Sequence, residues 1–172
     1  LVLDEAAIDK SVIVANYRKD PQDIQITRSF VAGMYNTICL PFDVEEAELK
    51  AIFGNDVELL EMASATLDGD VLNLNFDAVT SIYRGTPYLI RISNAVVNPI
   101  FTGAVIKEEN GQATSGDDVD FIGSFILDEI GADASNLYLG SNDKLYFSEN
   151  AVTIKGMRAY FHVKGVANPS QA

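Results

Sequence analysis

The sequence predicts a mainly β protein: an antiparallel β-sandwich of jelly-roll-like or Greek-key type, with one short α-helix at about residues 43–53. Three observations predict it. Short runs of β-branched and aromatic residues recur along the 172 residues, separated by Gly, Asn and Asp. Two of the separators have the composition of hairpin turns. No stretch alternates strand, helix and strand as a parallel α/β sheet requires. The length fits one domain over 1–172, large enough to bury a core without a metal or disulfide staple.

Strands are expected, in order, at Val12–Tyr17, Asp23–Val31, Tyr35–Leu40, Val57–Leu67, Val71–Phe76, Pro87–Ile92, Phe101–Lys107, Phe121–Leu127, Leu137–Leu139, Lys144–Phe147, Val152–Ile154 and Met157–Lys164. The helix follows the third of these. Pro41 and Phe42 stop the strand, Asp43 can cap, and Glu46 stands three residues on in capping-box position. Glu45, Glu46 and Glu48 suit the positive end of the helix dipole. Leu49, Ile52 and Phe53 share one face, and Gly54 can end the helix in the left-handed region.

Asp68-Gly69 reads as a type I′ turn joining Val57–Leu67 to Val71–Phe76. A second hairpin turns through Ser141–Asp143. That loop pairs Leu139 with Leu145 and Tyr138 with Tyr146, so the leucines face the core and the tyrosines the opposite side. In the last strand Met157, Ala159, Phe161 and Val163 alternate with Arg158, Tyr160, His162 and Lys164, the pattern of a half-buried antiparallel strand. The acidic segment Glu108–Asp120, with Gly111 and Gly116, reads as a mobile polar loop, and Asn168–Ala172 as a tail.

The composition excludes several function classes. Twelve Lys and Arg against 25 Asp and Glu give a net charge of −13, and no basic run exists to grip nucleic acid. No apolar run approaches the roughly 20 residues of a membrane span. The single cysteine, Cys39, cannot form an internal disulfide and reads as a small buried hydrophobe. One Cys and one His cannot build a structural zinc site. His162, the only histidine, lies on a polar strand face as a surface residue, and no nucleophile elbow accompanies it. No cofactor motif is present.

Two oxygen-based chemistries stay open. Asp117, Asp118 and Asp120 form the best calcium candidate, although without EF-hand spacing. Paired carboxylates could hydrolyse polysaccharide, which would need a cleft holding two of them roughly 5–9.5 Å apart. Tyr138 and Tyr146 are candidate binding residues, forming an aromatic platform with hydroxyl handles.

The run Arg28-Ser29-Phe30-Val31-Ala32-Gly33-Met34-Tyr35-Asn36-Thr37-Ile38-Cys39-Leu40-Pro41-Phe42-Asp43 resembles a phrase of exported cell-surface modules of Bacteroidetes. Thr86-Pro87-Tyr88-Leu89-Ile90, Asn98-Pro99-Ile100-Phe101, Leu137-Tyr138-Leu139-Gly140 and Met157-Arg158-Ala159-Tyr160-Phe161 resemble later phrases of the same modules in the same order. Tyr35 stands where the first phrase commonly has Trp. The resemblance implies a β-rich secreted or cell-envelope protein, often lipid-anchored through an upstream residue. A chain opening at Leu1 rather than Met fits a processed N-terminus. The expected function is a non-catalytic surface module, structural, adhesive, or binding glycan or protein. A carboxylate-based polysaccharide hydrolase and a calcium-stabilised adhesin are the alternatives.

Overall fold

The computed structural model describes residues 1–165, so the expected tail at 168–172 lies outside the described residues. The chain is mainly β. Its elements are β1 (Val2–Asp4), α1 (Ser11–Ala15), β2 (Gln22–Thr27), β3 (Ser29–Phe30), β4 (Tyr35–Cys39), α2 (Glu46–Phe53), β5 (Glu58–Asp68), β6 (Val71–Val79), β7 (Pro87–Arg91), β8 (Val96–Val97) and β9 (Ile100–Ala104). They continue through β10 (Ala113–Ser115), β11 (Val119–Ser124), β12 (Asp128–Ile130), β13 (Asn136–Leu139), β14 (Leu145–Tyr146), β15 (Val152–Ile154) and β16 (Arg158–Val163).

Three sheets make the layers. The central one has the order β4-β7-β5-β6, and at β7 both of its faces are covered. On one side Tyr88 and Ile90 of β7 join the core formed with β1-β2-β9 and α2. On the other, Leu89 faces a second core against the sheet β10-β11-β16-β13-β14. Burial on both faces is why Pro87–Ile90 is a continuous apolar run rather than an alternating one. All ladders are antiparallel except β1 against β2.

A bulge keeps the long β5–β6 hairpin amphipathic. Leu60 and Met62 oppose Ala78 and Phe76, then the register shifts and Ala65 and Leu67 oppose Leu74 and Leu72. One extra residue moves the inward parity of β5 from even to odd, so its apolar side chains stay beside Leu72, Leu74 and Phe76. Without it, Ala65 and Leu67 would turn outward. Below them Phe121 and Phe161 stack at 4.3 Å and 4°, with Phe76 edge-on to both.

Four expectations need correction. Val12–Tyr17 is not a strand: Asp9 accepts from the backbone and hydroxyl of Ser11, which starts the one-turn helix α1, and Ile13 anchors it in the core. The Asp43 capping box does not form. Val44 is bridged to Ile82 and held extended, while Asp43 accepts from the Arg84 backbone and guanidinium. Helix α2 therefore begins later, behind Glu45, and Gly54 closes it at φ 102 and ψ 156 rather than in the left-handed helical region. The β5–β6 turn is Gly69-Asp70, one residue later than expected. Asp68 pairs with Val71, and φ is positive at Gly69 only, as a type II′ turn requires. Finally, the stretch 108–120 is not simply a loop, because β10 within it pairs with β11.

Candidate functional site

The outer face of the five-stranded sheet follows from period-two alternation. In β13, β14 and β16 the inward positions are Leu137, Leu139, Leu145, Ala159, Phe161 and Val163, all packed in or against the second core. The alternate positions must therefore face outward. Tyr138 pairs with Tyr146 and Leu139 with Leu145, as expected from the sequence. Gly140 N–H donates to the Lys144 carbonyl across the three-residue turn. Tyr160 of β16 continues the row, its ring stacked on Tyr138 at 5.9 Å and 30°. Tyr146, Tyr138 and Tyr160 thus form an aromatic strip across three neighbouring strands, with Ile122 of β11 opposite Tyr160 at its end. Tyr146 lies over Gly140, where a Cβ would come within 2.2 Å of its ring. Desolvation raises the phenol pKa of both Tyr138 and Tyr160, so both keep their hydroxyl protons.

Beside the strip the sheet opens. The β13–β16 ladder ends at Leu137 opposite Phe161. Past that point lies a groove of about 480 Å³ lined by Arg28, Thr37, Tyr138, Gly140, Lys155 and Arg158, among others. No Asp or Glu among the described residues lines it.

Arg28 is 3% exposed. Its Nη1 donates to the Met157 carbonyl and its Nη2 to the Thr37 carbonyl, both at 2.5 Å. The guanidinium also sits 4.2 Å from the centre of the Phe30 ring. Its Nε has no partner among the described residues. Burial, then repulsion from Arg158, pulls its pKa well below the usual arginine value, while Glu5 opposes the shift. Met157 presents its carbonyl from a left-handed backbone at φ 59, rare for a bulky residue, and that carbonyl also accepts from Cys39 N–H. Glu5 is claimed by the other two cations, at 2.7 Å from Arg158 and 3.4 Å from Lys155.

The remaining candidates go elsewhere. The Asp118 carboxylate accepts the Leu67 backbone N–H, and Asp120 takes the Ser115 hydroxyl and Lys164. Asp117 joins neither arrangement. Among the described residues no group of three His, Cys, Asp or Glu side chains is placed to hold a metal ion. His162 Nδ1 lies 2.7 Å from Asn136 Oδ1, its register partner on β13.

Cys39 is fully buried, with Sγ 3.2 Å from the Gly85 carbonyl, and desolvation pushes its thiol up to about 12. It is therefore no nucleophile. A raised thiol pKa contributes stability that is complete below the unfolded value near 9 and is lost as pH rises through about 12. Urea midpoints are accordingly expected to fall between pH 9 and 12, and less so in Cys39→Ala. Equal slopes in the two proteins would refute this assignment.

Sequence reasoning missed Arg28, Lys155 and the place of Tyr160 in the tyrosine row. A signal for Arg28 existed: Ile24, Ile26, Arg28 and Phe30 occupy successive inward positions, and all four are buried. No family model, curated protein or solved structure matches this chain.

Proposed function

We propose that this chain is a non-catalytic binding module displayed outside the cell, which holds a glycan on its tyrosine strip. The observation that carries the reading is the row on one sheet face in which Tyr146 pairs with Tyr138 and Tyr138 stacks on Tyr160. Tyr146 is 49% exposed, a large aromatic left on the surface of a sheet that buries its other face. The Tyr138 and Tyr160 rings lie 5.9 Å apart, roughly the span of one pyranose unit. Tyrosine suits such a ligand because its ring meets the C–H face of a sugar while its hydroxyl reaches the sugar hydroxyls. The likeness of Arg28–Asp43 to exported surface modules supports the setting. The groove beside the strip offers no carboxylate pair for hydrolysis.

Affinity electrophoresis against a panel of soluble polysaccharides tests the reading. Retardation by at least one polymer is expected, and Tyr138→Ala or Tyr146→Ala should weaken it about tenfold, the equivalent of about 1.4 kcal/mol. Retardation that both variants leave intact, or none with any polymer, refutes the role of the strip.

A further inference from the structure

We infer that the groove beside the tyrosine strip receives an acidic group, so that the glycan is an anionic one bearing uronate carboxylates. This rests on the binding role proposed above.

The groove has the opposite sign to the molecule around it. The chain carries 25 Asp and Glu against 12 Lys and Arg. Yet three cations, Arg28, Lys155 and Arg158, line the groove, and no Asp or Glu of the described residues does. The one carboxylate paired with them, Glu5, binds Arg158 and Lys155. Arg28 is left buried with hydrogen bonds to carbonyls, no carboxylate partner and an idle Nε among the described residues. A buried guanidinium with no directly paired carboxylate, whose counter-charge Glu5 is shared with two other cations, is an expensive arrangement. A concave site with low-dielectric walls concentrates its field, so this groove attracts anions from a surface that otherwise repels them. An entering carboxylate offers acceptors to Arg158 and Lys155 and supplies the charge that Arg28 lacks.

The same geometry favours a sugar acid over a peptide carboxylate. Tyr138 belongs to both the groove and the strip. An acidic sugar seated in the groove therefore places its neighbours over Tyr138 and Tyr146. The extended flat faces of a polysaccharide match that path, whereas a single chain-terminal carboxylate would use the groove and leave the strip idle.

Calorimetry with the full chain provides the test. The probes are oligosaccharides from pectate, alginate and glucuronan, each beside its methyl-esterified form, together with a short acidic peptide ending in a free carboxylate. At least one acidic oligosaccharide is expected to bind about tenfold more tightly than its ester, and to weaken as salt rises. Lys155→Gln should weaken the acidic ligand severalfold and leave the ester unaffected. Lys155 is 57% exposed, so folding should tolerate this change, and the melting temperature checks it. Arg158→Gln should act in the same direction and more strongly. Equal affinity for acid and ester, with loss in Tyr138→Ala, overturns the groove inference and leaves the strip standing. Failure of every sugar overturns both readings. Binding of the peptide in place of the sugars, lost in Lys155→Gln, replaces the uronate with a protein ligand.

Discussion

Phe161→Ala is expected to cost about 4 kcal/mol of folding stability, within the range for truncating a buried aromatic. Phe161 is 1% exposed at the centre of the second core, face to face with Phe121 at 4.3 Å and edge-on to Phe76 at 6.4 Å. Its walls are two hydrogen-bonded sheets, which cannot collapse into the space as loose side chains would. The cavity term therefore adds to the lost transfer energy rather than being relieved. Phe161→Leu retains most of the volume and loses the ring contacts, so it should cost about 1.5 kcal/mol. Urea unfolding reads both as a fall in midpoint at constant slope. A loss below about 1 kcal/mol for Phe161→Ala would show that the layers close over the gap.

Arg28→Ala should cost about 3 kcal/mol. The change removes two charge-assisted donors, the contact with the Phe30 ring and a buried side chain's worth of packing. Two effects offset this. The Met157 carbonyl keeps the Cys39 N–H as a partner, and a buried charge without a carboxylate disappears. Arg28→Met separates the contributions, because it restores volume but no donor. If packing dominates, Met should recover most of the loss; if the hydrogen bonds dominate, Met should resemble Ala. Denaturant midpoints for the three proteins decide between them. Alanine within about 0.5 kcal/mol of the parent would show that Arg28 contributes nothing net to the fold.

The two sides of β16 were legible in advance because strand alternation is local. Met157, Ala159, Phe161 and Val163 are buried, and their odd-even neighbours are not. The Tyr138–Tyr146 register was legible for the same reason, since the three-residue turn Ser141–Asp143 and the pair Leu139–Leu145 left one pairing that buries the leucines. Local pattern failed where distant partners intervene. Val12 and Val14 favour a strand by type, yet Asp9 and the burial of Ile13 draw the segment into a turn of helix. Asp43 satisfies every rule for a helix cap, yet Arg84, far along the chain, takes its carboxylate.

What the sequence determined alone was the β class, the inward and outward faces of its strands and the tyrosine hairpin, all of which depend on neighbours within a few residues. Only the tertiary structure decided that Tyr160 extends the row and that Arg28, Glu5, Lys155 and Arg158 meet beside it. Those four residues come from opposite ends of the chain, and their charges carry no periodicity that places them together. The five-stranded sheet brings them close by ending the β13–β16 ladder where β4 and the Met157 carbonyl come up beneath it. The fold thereby concentrates positive charge at one point of a chain whose net charge of −13 gives no hint of it.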